Sequence, residues 1–156
     1  MTEDGVTQGR FIVTQADDAS AVLQDVESGK IHTLADDPGL ERHEVIEATL
    51  VTEPPMEVVW TVDEIDDRWS ITVERSPETP TAQARDLAGE EVGDLVTRER
   101  AGEGEVHVIT VPPERTDDAA ADVVEDGATL TRAARMGVNR VEVRAADGVV
   151  SVRYLP

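Results

Sequence analysis

Apolar and polar residues alternate in short runs along the first half of the chain, a pattern typical of half-buried β-strands. The runs are rich in valine, isoleucine and threonine. They occupy residues 10–14, 20–26, 30–35, 44–52, 57–65 and 69–75. So many short strands in so small a segment predict a small antiparallel β-barrel of OB-like or SH3-like type.

Turn-forming residues set the expected pairing of these strands. Ser28-Gly29 predicts a two-residue turn, which pairs Leu23 with Leu34 on the neighbouring strand. Residues 66–68, Asp-Asp-Arg, predict a second turn that joins the last two runs into a hairpin. Both hairpins are compatible with a small barrel.

The pattern changes after the segment SPETPT at residues 76–81, where helical spacing replaces alternation. Thr79 is the predicted cap of a helix that runs through the apolar positions from Ala84 and ends at Gly102. A strand is expected over residues 105–111. The first half and the second half therefore differ in kind.

Two further helices and a hairpin complete the second half. Thr116 is the predicted cap of one helix, and Gly137 ends the next. Asp147-Gly148 predicts a type I′ turn, whose register sets Glu142 opposite Arg153. The predicted fold class is α+β: a small N-terminal antiparallel β-barrel domain over residues 1–76, followed by a compact α-β-α-α-β-β domain over residues 77–156.

The excess of acidic side chains adds information on the solvent and the partners of the protein. The 156 residues contain 34 acidic and 14 basic side chains, a formal net charge of -20, and Lys30 is the only lysine among the basic residues. Dispersed carboxylates and arginine in place of lysine favour adaptation to a salt-rich solvent, because bidentate guanidinium pairs lose less when water is scarce. At molar salt the screening length falls to about 3 Å, so the acidity does not exclude RNA as a partner.

The composition and three segments carry a family resemblance. They are GLERHEVIEATLVTEPPMEVVW from Gly39, GEVHVITVPPERTDDAAADV, and the ending RAARMGVNRVEVRAADGVVSVRYLP. Together they resemble an uncharacterised family of halophilic archaeal proteins over nearly the whole chain. The resemblance implies an archaeal, potassium-rich cytoplasm, and since the family has no assigned activity it implies no functional residues.

Several function classes find no support in the sequence. The chain has no cysteine, which excludes disulfides and thiolate chemistry. His32, His43 and His107 show no ligand spacing, and paired aspartates fall at predicted turns. The first nine residues are polar, and no apolar run is long enough to span a membrane. We therefore expect a cytoplasmic, non-enzymatic protein with no catalytic residues, metal, cofactor or membrane partner.

Arginines concentrate near the end of the chain. Residues 127–156 carry five basic side chains and two acidic ones in an otherwise acidic protein. The five are Arg132, Arg135, Arg140, Arg144 and Arg153. They either form ion pairs with surface carboxylates or build an anion-recognising face for RNA phosphate or an acidic partner. The open face of the hairpin carries Arg140, Arg144 and Arg153 with a single acid between them, so at least one of these guanidinium groups should lack a partner there.

Trp60 and Trp69 supply half of the aromatic side chains, and the predicted hairpin places them on one face. They form either the core of the barrel or a stacking platform for bases.

The function predicted from the sequence is that of an adaptor or binding protein that recognises RNA or an RNA–protein assembly through the terminal arginines. The alternative is a protein–protein interaction or homodimerisation module without nucleic acid, using an edge of the C-terminal sheet.

Overall fold

The structure, a computed structural model, describes residues 2–3, 5–36, 38–52, 59–100 and 104–156. The chain divides into two compact units, Met1–Ile71 and Thr72–Pro156. Each unit is built on its own β-sheet, and the helices of the described residues all belong to the second unit.

The first unit contains a mainly antiparallel sheet. Its strands are β1 (Thr2–Glu3), β2 (Val6–Ala16), β3 (Ala21–Asp25), β4 (Ile31–Thr33), β5 (Glu44–Thr52) and β6 (Trp60–Ser70). They pair in the order β4-β3-β2-β5-β6, and β1 pairs with β2. The predicted strand over residues 44–52 is confirmed with those bounds.

Alternate residues of β2 and β5 form the core of the first unit. Phe11 pairs in register with Ile46, and both side chains are fully buried. Ala48 and Leu50 continue the same face along β5, and Leu23 of β3 joins the cluster. The two-residue period of a strand places these apolar side chains on one face of the sheet.

The predicted two-residue turn between β3 and β4 is wrong. Leu23 pairs with His32, two residues short of its expected partner. The Asp25 carboxylate accepts hydrogen bonds from the backbone N–H groups of Glu27 and Ser28 at 2.8 and 3.1 Å. This side-chain contact stabilises a wider turn. Because the shift is an even number of residues, every side chain keeps its predicted face.

The predicted OB-like or SH3-like barrel is also wrong. Residues 66–68 make no turn but continue within β6, where Asp63 and Asp66 are extra residues at two register shifts against β5. The described residues form no closed barrel, because the sheet edges meet only at one isolated parallel bridge, Leu34 to Trp60. Residues 57 and 58, the expected start of this strand, lie outside the described residues.

The second unit contains a five-stranded sheet with the order β7-β10-β11-β9-β8. Its strands are β7 (Thr72–Arg75), β8 (Leu95–Glu99), β9 (Glu105–Thr110), β10 (Arg140–Ala146) and β11 (Val149–Leu155). Its helices are α1 (Ala82–Leu87), α2 (Thr116–Glu125) and α3 (Gly127–Met136), and a 3-10 turn covers Pro113–Arg115. The strand expected over residues 69–75 as the second arm of an N-terminal hairpin is wrong, because Trp69 and Ser70 end β6 and the remaining part forms β7, which pairs in parallel with β10.

The predicted α-β-α-α-β-β order of the second half is wrong because the first helix is short. The Thr81 hydroxyl, two residues after the predicted cap, accepts a hydrogen bond from Ala84 N–H at 3.1 Å and begins α1. The helix ends at Leu87, because the next residue, Ala88, has a ψ of 135° and leaves helical geometry. Leu95 and the following residues then form the additional strand β8. Gly102, the predicted helix end, lies outside the described residues.

The terminal hairpin is confirmed with its predicted register. Asp147 and Gly148 have φ values of 50° and 85°, as a type I′ turn requires. The observed pairs include Val141–Tyr154, Glu142–Arg153 and Val143–Val152. The valines and Tyr154 form a buried face on which α2 packs, and Glu142 lies on the opposite face.

Candidate anion-binding site

Three arginines of the terminal hairpin converge on one carboxylate. Alternation puts Arg140, Glu142 and Arg144 on one face of β10, and the turn register brings Arg153 of β11 opposite Glu142. Arg144 Nε and Arg153 Nη1 lie 2.6 and 2.9 Å from Glu142 Oε1. Arg140 Nη2 lies 3.1 Å from Oε2. The expectation that one of these guanidinium groups lacks a partner on the hairpin is therefore not met.

Glu142 is ionised in spite of its burial. The residue is only 7% exposed, and this burial by itself raises the pKa of the carboxyl. Hydrogen bonds and charge from Arg144 and Arg153 outweigh it, so the pKa lies below the ordinary value. A buried carboxylate surrounded by guanidinium groups fixes the positions of all of them.

Two more carboxylates complete this network. Glu74 of β7 is the parallel-sheet partner of Glu142, and its Oε1 lies 3.5 Å from Arg140 Nε. Glu78 Oε2 lies 2.9 Å from Arg144 Nη2. Three arginines thus contact three glutamates, so the network of these six side chains carries no formal net charge.

The other two predicted arginines lie elsewhere. Arg132 is on α3 and donates from Nη1 to the hydroxyl of Tyr154 at 3.0 Å. Tyr154 belongs to the buried face of the hairpin, opposite the face of Glu142. Arg135 is exposed in the last turn of α3. The structure therefore brings together Arg140, Arg144 and Arg153 but not all five.

A cleft opens beside Arg153 on the Glu142 face of the sheet. It has a volume of about 330 Å³ and lies between α1 and the strands β8, β9 and β11. Arg153 pairs in register with Val106, and Val106 pairs with Arg98 on β8. These two arginines therefore lie on the same face, on either side of Val106. Arg100 also lines the cleft.

The described part of the cleft lining is net positive. Among the residues that the structure describes, it includes Arg98, Arg100 and Arg153 and one acidic residue, Glu99. The Arg98 side chain is exposed and forms no hydrogen bond or ion pair with any other described residue. Its guanidinium group can therefore make planar, bidentate contacts with an anion at little cost in lost contacts.

The two hydroxyl groups of the lining already have structural surroundings. Thr81 Oγ1 accepts the capping hydrogen bond of α1, and Ser151 is 1% exposed at the base of the cleft. No nucleophile with an adjacent general base is evident among the lining residues that the structure describes. The arrangement is suited to holding an anion.

Comparison with protein families finds a match, over residues 7–145, to a family described as "Family of unknown function (DUF5812)". The chain belongs to this family. A search of curated proteins and a search of solved structures each find no match. The segment matched to DUF5812 includes Arg98, Arg100 and Glu142, whereas Arg153 lies beyond it.

Sequence reasoning missed Arg98 and Arg100. Both fall in the segment predicted as a helix, where Leu95 and Val96 fit helical spacing as well as a strand. The alternation of Val96, Arg98 and Arg100 was the signal that could have found them, because it puts two arginines on one face of a strand. Their approach to Arg153 depends on strand order, which sequence alone does not give.

The two tryptophans lie on opposite faces of β6. Trp60 pairs with Thr52 and packs against the core cluster, and its ring lies edge-on to His32 at 5.0 Å. Trp69 pairs with Val45. Val45 and Thr52 are an odd number of positions apart on β5, so Trp69 lies on the opposite face of the sheet from Trp60. There the Arg10 guanidinium lies 5.2 Å from the Trp69 ring centroid. The two rings do not form a joint stacking platform.

The histidines of this DUF5812 member are dispersed. His32 lies between Phe11 and Trp60, and burial lowers its pKa. His107 Nε2 lies 2.9 Å from Glu105 Oε1. Across the described ranges, no three or more histidine and acidic side chains are grouped so as to hold a metal ion. Within the same ranges, no helix has the length and apolar character needed to cross a membrane.

Proposed function

We propose that the protein is a non-enzymatic binding module of a salt-rich cytoplasm, and that its second unit binds RNA phosphates in the cleft beside α1. The observation that carries this proposal is the convergence of Arg98, Arg100 and Arg153 on one cleft of about 330 Å³. The hairpin arginines predicted from sequence enter the proposal through Arg153, which belongs to both the Glu142 network and the cleft.

The chemistry of the lining suits phosphate, the anionic group of RNA. A guanidinium group presents a planar pair of donors that matches two phosphate oxygens. Arg153 is held in place by its hydrogen bond to Glu142, so little side-chain entropy is lost when it binds a ligand. Arg98 is free to move toward successive phosphates along a strand.

The salt concentration controls how strongly an acidic protein and RNA repel each other. With a net charge of -20, long-range repulsion opposes association with a polyanion in dilute buffer. At molar salt the repulsion is screened beyond about 3 Å, whereas direct hydrogen bonds of a guanidinium group act at shorter range. We therefore propose that binding takes place in concentrated potassium salts.

The test compares two arginine-to-alanine variants with the same change of charge. Arg98→Ala removes a lining residue of the cleft, and Arg85→Ala removes an exposed arginine of α1 that does not line it. We expect Arg98→Ala to raise the Kd for a labelled oligouridine about tenfold, the loss of one charge-assisted contact, with Arg85→Ala unchanged. Fluorescence anisotropy in molar KCl measures both.

Equal effects of the two variants, or no binding by the wild-type protein, would overturn the proposal. Arg140→Ala adds a third arm, because Arg140 contacts Glu142 and Glu74 but does not line the cleft. An unchanged Kd for this variant supports the cleft as the site. A loss equal to that of Arg98→Ala would instead favour the whole hairpin face.

The second candidate function is association with a protein, and a separate observation favours it. The strand β8 is an edge of the second sheet, and Leu95 at its start is 58% exposed. An exposed apolar side chain on an open sheet edge is a feature of interaction surfaces.

A further inference from the structure

The outer edge of β8 offers backbone hydrogen-bonding groups that the cleft does not use, although the side chains of Arg98, Glu99 and Arg100 line the cleft. It is the last strand in the order β7-β10-β11-β9-β8, and within the described residues it pairs only with β9. Leu95 is 58% exposed and Val92, just before the strand, is 63% exposed. Monomeric proteins commonly protect such an edge with charge, proline or a covering segment.

Hydrogen bonds to β9 show which backbone groups of β8 point outward. Thr110 N–H donates to the Asp94 carbonyl at 2.9 Å, and Arg100 N–H donates to the Gly104 carbonyl at 3.1 Å. Even-numbered residues of the strand therefore direct their backbone groups toward β9. Because the direction alternates along a strand, Leu95, Thr97 and Glu99 direct their N–H and C=O groups away from the sheet.

We propose that β8 pairs with β8 of a second copy of this chain in antiparallel orientation, centred on Thr97. In this register Thr97 faces Thr97 of the other copy, and Leu95 faces Glu99, as hydrogen-bonded pairs that use all the outward backbone groups. The arrangement is two-fold symmetric, so each contact occurs twice. The pairing joins the second-unit sheet of one copy to the second-unit sheet of the other, so that they form one continuous sheet.

The side chains of β8 are self-complementary in this register. Asp94 of one copy lies opposite Arg100 of the other, which places opposite charges in a cross-strand pair. Val96 lies opposite Arg98, whose aliphatic stem covers it while the guanidinium group stays in solvent. A threonine pair lies at the centre of the strand, a favourable cross-strand combination.

Neighbouring registers are poorer. A shift of two residues toward the C-terminus sets Arg98 against Arg98, which places like charges opposite each other. A shift of two residues toward the N-terminus leaves only Leu95, Val96 and Thr97 of the strand in the overlap. A shift by an odd number of residues would place residues whose backbone groups point outward opposite residues whose backbone groups point toward β9, so the hydrogen bonds between the copies could not form. The centre at Thr97 is thus selected by charge and by hydrogen bonding.

The other edge strand, β7, is a weaker candidate. Its residues Glu74 and Arg75 are engaged in ion pairs with Arg140 and Asp117. Among the described residues of β7, no large apolar side chain is highly exposed. In the described part of the second unit, the exposed large apolar residues are Val92 and Leu95, just before β8 and at its start.

The pairing has a consequence for the cleft. A two-fold axis that relates antiparallel edge strands is normal to the sheet, so the same face of both copies points the same way. The two Arg98 side chains then lie on one face of the joined sheet, and the clefts flank the axis. The dimer does not require a ligand, so it can be tested independently of the proposed RNA binding.

Cysteine crosslinking tests the register directly, because the chain has no cysteine of its own. In the proposed dimer the Thr97 Cα atoms are about 5.5 Å apart, within disulfide range. Those of Val96 are displaced by two residues, beyond the limit of about 7 Å. We expect Thr97→Cys to form disulfide-linked dimers on mild oxidation in molar KCl and Val96→Cys, the matched control, to remain monomeric on a non-reducing gel.

A second variant, Thr97→Pro, tests the dimer without a covalent crosslink. Proline is tolerated on a strand edge where its missing N–H faces solvent, so Thr97→Pro should keep the pairing with β9 and remove a donor to the other copy. Sedimentation equilibrium should give a dimer for the wild-type protein and a monomer of unchanged circular dichroism for Thr97→Pro. A wild-type monomer at all concentrations, or crosslinking mainly through Val96→Cys, overturns the proposal, and neither outcome depends on the Kd for RNA.

Discussion

At the scale of single residues, Glu142 determines the chemistry of the terminal hairpin. One carboxylate accepts hydrogen bonds from three guanidinium groups, and two of these contacts are shorter than 3 Å. Arg144 is the most buried of the three, with a side chain 14% exposed. Without the carboxylate, three like charges would be held together on one face of the sheet.

We expect Glu142→Gln to destabilise the protein by on the order of 2 kcal/mol at neutral pH. The variant keeps the shape of the side chain but removes the charge that three guanidinium groups share. Arg153 then loses the one ion pair described for it, whereas Arg140 and Arg144 keep Glu74 and Glu78. Urea unfolding at constant KCl measures the difference. Glu78→Gln is the control, because the Glu78 side chain is largely exposed and its one described ion pair is with Arg144, so the loss of stability should be small.

The stability difference between the wild type and Glu142→Gln should also depend on pH. The pKa of Glu142 is lower in the folded protein than its ordinary value, so its ion pairs stabilise the fold above the unfolded pKa of about 4.3. That contribution is lost as the pH falls through the folded pKa. The difference in unfolding free energy between wild type and Glu142→Gln should therefore shrink below about pH 4. A difference that stays constant with pH would contradict the ionised state of Glu142.

At the scale of elements, the hairpin of β10 and β11 and the strand β8 show what sequence can and cannot predict. Asp147-Gly148 determines a turn, and a turn determines a register, so the Glu142–Arg153 pair could be predicted from local sequence. Leu95 and Val96 fit two periods, and the choice between them depended on pairing with β9. The cleft needed strand order as well, since Arg98 and Arg153 meet only across β9.

Glycine substitutions test the turn of that hairpin. Gly148 has a φ of 85°, and a Cβ built on it would lie 2.9 Å from the Val111 carbonyl oxygen. We expect Gly148→Ala to cost on the order of 2 kcal/mol, the sum of a left-handed alanine and a close contact. Gly127→Ala is the matched control, because no described atom lies within 4 Å of its Cβ and the residue begins α3. An equal stability of the two variants would show that the turn is not constrained.

At the scale of the whole molecule, charge is the dominant property. Carboxylates outnumber basic side chains by 34 to 14. The described ion pairs engage many of the arginines, often with the same few glutamates, as Glu142 does. Many acidic side chains are therefore left to solvent, among them the exposed Glu64, Asp66 and Asp67 of β6.

We expect the melting temperature to rise with KCl concentration between about 0.1 and 1 M, as the screening length falls from about 10 to 3 Å and repulsion among exposed carboxylates is reduced. A variant with Glu64→Gln, Asp66→Asn and Asp67→Asn removes three of these charges and keeps side-chain size. Its melting temperature should depend less on salt than that of the wild type. A melting temperature that stays flat or falls as KCl is added would mean that repulsion among the carboxylates does not limit stability, and that the acidity of the chain has another cause.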